Sequence, residues 1–192
     1  MTNNKQLFNA AETDAMINTI AEKLAADIKR EHIKNVALVG IQLRGVTLAL
    51  RIAKKLHGKL DGEIPTGSLD ISMYRDDIGK RGKLPDIHET NIPFDIDDKA
   101  IILVDDILHT GRTIRAALDA ITDYGRPKLI KLAVLMDRGG HEFPISADYA
   151  GKTIEMSKKE GFILLHLAEN DGEDAVYLIP KNPHLENTKK KV

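Results

Sequence analysis

The chain contains 192 residues, of which 42% are hydrophobic, and this length suits one domain with a sizeable core. Its 28 basic and 29 acidic residues give a formal net charge of −1, so the chain has no overall positive potential that would attract nucleic acid or anionic membranes. Cys is absent, which excludes disulfides, thiolate zinc sites and cysteine nucleophiles. We expect a soluble, cytoplasmic protein, because the first ten residues lack a leader pattern and no apolar run approaches the roughly 18 residues of a membrane span.

The first part of the chain alternates helical and extended patterns. Asn9 and Glu12 have the spacing of a capping box, and Ile17, Ile20 and Leu24 follow at helical intervals, which predicts an amphipathic first helix. The next predicted elements are a buried strand over residues 36–39, a helix over 46–56 and a half-exposed strand over 67–73.

The alternation continues to the end of the chain. The predicted elements are a buried strand over residues 101–104, a helix over 113–124, a strand over 129–136 and two weaker strands over 162–167 and 175–179. Strands that alternate with helices predict an α/β fold, a parallel sheet with helices on both faces. We assign residues 1–192 to one domain, with a small C-terminal hood formed by the weaker strands and a flexible tail over 182–192.

The strand over 101–104 leads directly into the segment that carries the chemistry. Two adjacent carboxylates, Asp105 and Asp106, follow it at the strand end where open α/β sheets bind ligands, and they suit sugar hydroxyls or metal-bound water. The loop after them offers backbone N–H groups, threonine hydroxyls, a glycine and a helix N-terminus, which together suit a phosphate monoester. Its residues are Ile107, Leu108, His109, Thr110, Gly111, Arg112 and Thr113.

This order of acid pair and phosphate loop suits a ribose 5-phosphate. The alternative is that the two acids only cap the loop and that the Thr-Gly-Arg-Thr turn only begins a helix. The spacing Gly-x-x-x-x-Gly-Lys-Ser/Thr and the spacing Gly-x-Gly-x-x-Gly are both absent, which argues against nucleoside triphosphate and dinucleotide sites.

Residues 104–113, followed by Arg115-Ala116-Ala117-Leu118, resemble the diphosphate-sugar signature of type I phosphoribosyltransferases. Further segments resemble the PyrR family, and the resemblance spans about residues 36–159. These segments are residues 40–45, 69–77, 125–127 and 133–139. The resemblance implies uracil phosphoribosyltransferase activity in pyrimidine salvage, together with regulation of pyrimidine operons by binding messenger RNA.

The resemblance also implies roles for individual residues. Asp105 and Asp106 would hold the ribose hydroxyls, Thr110 to Thr113 the 5-phosphate, and Leu43 and Arg44 the diphosphate. Arg138 would lie near the base and the diphosphate, or would instead pair with Asp137 or Glu142. The implied catalytic residues are Asp105, Asp106, Arg44 and Arg138, and the implied substrate-binding residues add Leu43 and residues 107–113.

Residues 75–98 show no sustained hydrophobic periodicity of a helix or strand. The resemblance implies that they form a mobile lid over the substrates. Tyr74, Arg75, Lys80 and Arg81 would belong to it, and an ordinary polar loop is the alternative. No protein cage of oxygen ligands is visible, so Mg²⁺ is expected to arrive with 5-phosphoribosyl diphosphate. The family implies a homodimer or a higher homo-oligomer.

Two positions depart from the family pattern. His109 stands where related uracil enzymes commonly have Tyr, which loosens the assignment of the base. This histidine would act either as a proton acceptor or as a hydrogen-bonding residue. Leu43 replaces a Thr beside Arg44, which removes a hydroxyl group but keeps the backbone amides.

The favoured function is transfer of the phosphoribosyl group to uracil, which gives UMP and diphosphate. The alternatives are a purine or other base phosphoribosyltransferase and an RNA-binding regulator with a nucleotide-sensing site. RNA binding is doubtful, because residues 1–30 contain four basic and four acidic residues and residues 141–170 contain three basic and five acidic residues. We expect weak, salt-sensitive RNA binding.

Overall fold

The computed structural model describes residues 4–60, 62–76, 87–157 and 160–180. The strands are β1 (Lys5–Phe8), β2 (Val36–Ile41), β3 (Thr66–Leu69), β4 (Ala100–Leu108), β5 (Leu129–Asp137), β6 (Tyr149–Thr153), β7 (Phe162–His166) and β8 (Ala175–Ile179). The helices are α1 (Ala10–Arg30), α2 (Arg44–Leu56), α3 (Arg112–Thr122) and α4 (Ala168–Asp171).

A capping box fixes the beginning of α1, as its sequence predicts. The Asn9 side chain accepts a hydrogen bond from the Glu12 backbone N–H at 3.0 Å, and the Glu12 carboxylate accepts one from the Asn9 N–H at 2.9 Å. The apolar residues at helical spacing, Ile17, Ile20 and Leu24, are fully buried. The predicted amphipathic helix is therefore confirmed.

The main sheet has five parallel strands in the order β3-β2-β4-β5-β6. Helices α1 and α2 pack on one face, where alternate residues such as Leu38 and Ile102 contribute to the core. Helix α3 covers the other face, where Val39 and Leu103 lie. The predicted parallel α/β fold with helices on both faces is confirmed, and it places the ligand-binding edge at the carboxyl ends of these strands.

Two glycines bring α2 unusually close to the sheet. A Cβ atom on Gly40 would lie 2.4 Å from the Cα atom of Val46, and one on Gly45 would lie 2.4 Å from the carbonyl oxygen of Val104. Neither position can hold a larger residue without a backbone shift. This close packing places the first residues of α2 beside the end of β4.

The second sheet has three antiparallel strands in the order β1-β8-β7. The sequence predicts β7 and β8. It does not predict β1, which pairs the beginning of the described chain with the hood strands, or β6 at the edge of the main sheet. That this second sheet acts as a hood over substrates remains a prediction. The predicted tail over 182–192 lies outside the described residues.

Two predicted boundaries are wrong. The strand predicted over 67–73 ends at Leu69, because the Asp70 carboxylate accepts the Ser72 backbone N–H and a 3₁₀ turn, Ser72–Tyr74, follows. The strand predicted over 101–104 continues to Leu108, since β5 pairs with it as far as Asp137. No helix within the described ranges is long and apolar enough to cross a membrane.

Candidate active site

Asp105 and Asp106 lie in the last half of β4, at the carboxyl edge of the sheet. Asp105 is buried, and its carboxylate accepts the Asp106 backbone N–H at 2.9 Å. A cavity of about 310 Å³ opens beside the two acids. Its other walls are the loop over residues 42–44 and the segment over 70–72. The structure therefore brings the predicted acid pair and the predicted diphosphate loop to the same cavity.

The two aspartates are electrostatically coupled. Burial and the charge of Asp106 raise the pKa of Asp105 well above its ordinary value. Burial also raises the pKa of Asp106, although the positive charge of Arg44 opposes this shift. The pair thus resists carrying two negative charges, and it would ionise fully only when hydroxyl donors or positive charge arrive.

Arg44 begins α2 and is held by Asp171. Its guanidinium donates two hydrogen bonds to the carboxylate, from Nε at 3.2 Å and from Nη2 at 2.7 Å. The two side chains are largely buried, with exposed fractions of 26% and 16%. The planar bidentate contact holds Arg44 in one orientation at the cavity wall. The Arg44 side chain is therefore fixed by a partner and is not freely solvated.

The same face of α2 makes two further contacts with the segment over 168–174. Thr47 donates to the Asn170 side-chain oxygen at 2.8 Å, and Arg51 forms a salt bridge of 2.7 Å with Asp174. Residues 44, 47 and 51 lie three and four positions apart, the spacing that places side chains on one side of a helix. These contacts dock the segment after β7 onto the helix that carries Arg44.

Leu43 precedes α2 as its N-cap, and the peptide bond between Gln42 and Leu43 is cis. Its side chain is 50% exposed, so the substitution of Leu for Thr places no buried group in the cavity wall. The sequence did not identify Gln42 as a wall residue, and its side-chain amide donates to the Glu89 carbonyl at 3.2 Å.

The phosphate loop is shorter than predicted, because it contains only His109, Thr110 and Gly111 between β4 and α3. Gly111 has φ of +86°, the left-handed conformation that glycine adopts readily, and it caps the amino end of α3. The backbone N–H groups in the first turn of a helix have no intrahelical acceptor and carry partial positive charge. This turn can therefore bind a phosphate.

The other residues predicted in this segment have different environments. Leu108 is 1% exposed and packs in the core, so its side chain cannot contact a substrate. Ile107 is partly buried against the opposite core. The Arg112 guanidinium points to acids, at 2.9 Å from Glu142, and lies over the Phe143 ring. The side chains of these three residues are structural, and only their backbone remains a candidate for binding.

His109 makes a specific hydrogen bond, with its Nδ1 atom 2.9 Å from the Gly139 carbonyl oxygen. Since a carbonyl oxygen only accepts, Nδ1 carries the proton. The Nε2 atom then accepts hydrogen bonds whenever the ring is neutral. This geometry agrees with the interpretation of His109 as a hydrogen-bonding residue. The contact also connects the phosphate loop to the turn after β5.

Arg138 follows β5 and is buried, with an exposed fraction of 4%. Its Nη1 atom donates to the Gly161 carbonyl at 3.2 Å, and among the described residues its Nε atom has no hydrogen-bond partner. Burial lowers the pKa of this guanidinium. Its proposed pairing with Asp137 or Glu142 is not seen, because Asp137 contacts His141 at 2.9 Å. A buried donor without an acceptor suggests a missing ligand.

The first residues of the predicted lid lie over the beginning of α3. Arg75 donates to the Thr113 hydroxyl at 3.2 Å, and its charge partly opposes the rise in the pKa of Asp105 that burial causes. The Tyr74 hydroxyl donates to the Asp123 carboxylate. Lys80 and Arg81 lie outside the described residues. Arg75 is thus within electrostatic reach of both the acid pair and the phosphate loop.

Asp70 is a site residue that sequence analysis missed. Burial alone would raise its pKa, but hydrogen bonds from the backbone N–H groups of Ser72 and His88 hold the pKa below its ordinary value. Ser72 precedes the predicted lid segment and His88 lies within its second half. Asp70 therefore joins two points of the chain that are distant in sequence, and no local pattern reveals this contact.

Carboxylate oxygens are ligands that Mg²⁺ accepts, and Asp105 and Asp106 face the cavity. No group of three or more His, Cys, Asp or Glu side chains that could hold a metal is found in the described part of the chain. Two carboxylates at one cavity fit an ion that also takes oxygen ligands from a bound substrate.

Comparison with known proteins agrees with this geometry. Residues 12–170 match the model of the phosphoribosyl transferase domain. A bifunctional protein PyrR of a Roseiflexus species is 49% identical over 176 residues, covering 91% of this chain and 94% of the relative. The bifunctional protein PyrR of Thermus aquaticus is 48% identical over 176 residues, covering 92% and 96%.

Solved structures support the fold. The hypoxanthine phosphoribosyltransferase of Trypanosoma cruzi superposes with a TM-score of 0.68 at 22% identity, covering 92% of this chain and 97% of the other. At this identity the likeness shows the fold alone. On its match to the domain model and its identity to the curated relatives, the chain belongs to the phosphoribosyl transferase domain family and, within it, to the PyrR proteins.

Proposed function

We propose that this protein transfers the phosphoribosyl group of 5-phosphoribosyl diphosphate to uracil, giving UMP and diphosphate. One observation carries the proposal. The acids Asp105 and Asp106 line one cavity with Arg44, and the turn at the amino end of α3 follows these acids within five residues of the chain. Acceptors for a diol, a fixed cation and a phosphate-binding turn are the groups that a ribose carrying a phosphate and a diphosphate requires.

The acid pair would bind the ribose hydroxyls. Each hydroxyl would donate to a carboxylate oxygen, which favours the ionised form and opposes the rise in pKa that burial causes. Thr110, Gly111 and Thr113 would hold the 5-phosphate through backbone N–H groups and hydroxyls. The sugar would then be fixed at both ends, with its anomeric carbon between the acid pair and the loop over 42–44.

Arg44 would stabilise the leaving diphosphate. As the bond between the anomeric carbon and the diphosphate oxygen breaks, negative charge grows on the diphosphate, and a fixed guanidinium opposes it. Mg²⁺ bound with the diphosphate supplies further positive charge. Uracil then forms the new carbon–nitrogen bond and loses the proton of that nitrogen.

The ribosyl centre is electron-deficient when the diphosphate leaves, so water must be excluded. We propose that residues 75–98 form the lid that does this, with Arg75 reaching the site from its first residues. The hydrogen bonds that Asp70 accepts from Ser72 and His88 support this proposal, because they fix a residue just before the segment and one point within it beside the cavity.

Arg138 is the candidate for recognising the base. Its buried Nε atom has no acceptor within the described residues, and a pyrimidine carbonyl oxygen would satisfy it. His109 would fix the neighbouring turn through Gly139 rather than carry a proton. The preference for uracil over a purine rests on family membership.

A transfer assay over a panel of labelled bases tests this proposal. Uracil, hypoxanthine, guanine and orotate are each incubated with 5-phosphoribosyl diphosphate and Mg²⁺, and the nucleotide products are separated. We expect UMP to form at least about tenfold faster than any purine nucleotide. Faster formation of a purine nucleotide would show that the purine, and not uracil, is the preferred substrate. Absence of transfer to every base would leave the nucleotide-sensing regulator as the remaining function.

A further inference from the structure

A cavity of about 870 Å³ lies at the opposite edge of the main sheet from the candidate active site. It is lined by the end of α1, the chain before β2, the turns after α2 and the residue before β4. These segments meet at the amino ends of the parallel strands. The cavity is therefore separate from the site at Asp105 and Asp106, which lie near the carboxyl end of β4.

Positive charge is concentrated in this cavity, although the whole chain has a formal net charge of −1. The lining includes four lysines and one glutamate, Glu63. Asp61 lies outside the described ranges. The four lysines are Lys29, Lys34, Lys59 and Lys99.

Most of these lysines have no acidic partner. Within the described ranges, the side chains of Lys29, Lys34 and Lys99 form no hydrogen bond or ion pair, and Lys59 lies 3.9 Å from Glu22. Lysines near a helix C-terminus often only offset the helix dipole, and Lys29 can be explained so. Lys34 and Lys99 lie outside any helix, which leaves their charges without a structural role.

The floor of the cavity is apolar. Ile28, Ile33, Leu60 and Ile64 line it and are each only partly buried against the core. The chain turns around the cavity through His32 and Asn35, whose φ angles of 51° and 55° are left-handed. An apolar floor beneath a basic rim is the arrangement that binds a ligand with an apolar or planar part and an anionic part.

We propose that this cavity is a second ligand site, which takes a small molecule of the nucleoside triphosphate class. The lysines would bind the polyphosphate, and the isoleucine floor would contact the base. The volume falls within the range of roughly 300–1,000 Å³ typical of small-molecule pockets. A concave site of this volume favours a small ligand over an RNA duplex, which needs an extended basic surface. The site does not depend on the transferase reaction.

Hydrogen–deuterium exchange with mass spectrometry can locate the ligand. Inorganic triphosphate and ATP serve as probes, and the peptides that cover residues 28–36 and 59–65 report on the cavity. The charge-reversed variant Lys34→Glu with Lys99→Glu removes two rim cations. A matched control, Lys5→Glu with Lys152→Glu, makes the same change of net charge on exposed strands that do not line the cavity.

We expect both probes to protect these peptides, ATP at lower concentration than triphosphate, in the wild type and the control. The Lys34→Glu and Lys99→Glu variant should need at least about tenfold more probe, while its uracil transfer stays unchanged. Protection confined to the peptides over residues 42–45 and 109–113 would overturn the proposal. An equal loss of protection in the Lys34→Glu and Lys99→Glu variant and in the control would also overturn it. Protection by an RNA hairpin, with none by triphosphate or ATP, would overturn it as well.

Discussion

Arg44 and Asp171 are 127 residues apart in the chain, yet they form a bidentate contact at the wall of the candidate active site. The acid comes from α4, in the segment that follows the hood strand β7. The cation that would face the diphosphate is thus oriented by a part of the chain that sequence analysis assigned no role. This relationship makes Asp171 a positioning residue and leads to the first prediction.

Asp171→Asn is predicted to weaken use of 5-phosphoribosyl diphosphate. The amide retains one acceptor, so Arg44 loses its charge-assisted bidentate partner and samples other orientations. We expect KM for this substrate to rise about fivefold, with kcat changed less than twofold. Steady-state kinetics at saturating uracil measures both constants.

Asp174→Asn is the matched control, since Asp174 contacts Arg51 on the same helix and does not line the cavity. It should lower the melting temperature without raising KM. Equal changes of KM in the two variants would show that Asp171 acts only by docking its segment on α2.

Asp105→Asn is predicted to stabilise the ligand-free protein at neutral pH. The pKa of Asp105 is raised in the folded state, so the folded protein binds the proton more tightly than the unfolded chain. Stability therefore falls as the pH rises from the ordinary value of 3.8 through the raised pKa. The amide stays neutral and avoids this loss, which we expect to raise the melting temperature by about 2–4 °C at pH 7.5.

Melting temperatures of the variant and the wild type between pH 5 and pH 8 test this prediction. The difference should shrink as the pH falls. Asp106→Asn should give a smaller gain, because Arg44 already opposes the pKa shift of that acid. A difference that does not vary with pH, or a less stable Asp105→Asn protein at pH 7.5, would contradict the assignment of the buried charge.

Asp70→Asn is predicted to slow transfer more than it weakens binding of UMP. An amide cannot accept both backbone N–H groups as well as a carboxylate, so the predicted lid loses one of its two fixed points. We expect kcat to fall about tenfold, with the Kd for UMP changed less than twofold. Turnover and calorimetric titration with UMP provide the two values.

Asp148→Asn controls for the loss of a carboxylate that accepts a backbone N–H, because Asp148 accepts that of Leu132 at 2.8 Å and does not line the cavity. It should leave kcat unchanged. If Asp70→Asn weakens UMP binding as much as turnover, residues 75–98 form an ordinary binding loop.

RNA binding is predicted to be weak and strongly dependent on salt. Two lysines that could extend a basic surface are paired, since Lys55 donates to Asp14 at 2.9 Å and Lys59 lies 3.9 Å from Glu22. Filter binding of the operon-leader hairpin and a scrambled hairpin, at about 50 and 200 mM salt, measures affinity and selectivity. Sub-micromolar, selective binding at the higher salt would contradict this prediction and support regulation of pyrimidine operons by RNA binding.

Local patterns were sufficient to predict much of the fold. The capping box at Asn9 and the spacing of Ile17, Ile20 and Leu24 determine α1 through contacts within four residues. The buried strands were recognised because parallel strands covered on both faces are continuously apolar. The acid pair and the phosphate turn were recognised together because both follow one such strand.

Contacts between distant segments could not be predicted in this way. Strand β1 has only four residues, and it is defined by pairing with β8 some 170 positions later. Strand β4 continues through two acids because β5 supplies backbone partners beside them. Asp70 and Asp171 owe their roles to partners that folding brings near, and neither has a local signature.

The most direct test of the central claim is uracil transfer by the double variant Asp105→Asn with Asp106→Asn. Replacing the two carboxylates by amides exchanges one acceptor oxygen of each side chain for a donor and removes both negative charges, but leaves side chains of the same shape. A matched control, Asp14→Asn with Asp119→Asn, changes two exposed acids on α1 and α3 that do not line the cavity. Circular dichroism and the melting temperature verify that each protein is folded. We predict that the double variant forms no detectable UMP while remaining folded and that the control keeps wild-type turnover; normal turnover in the folded double variant would contradict the account.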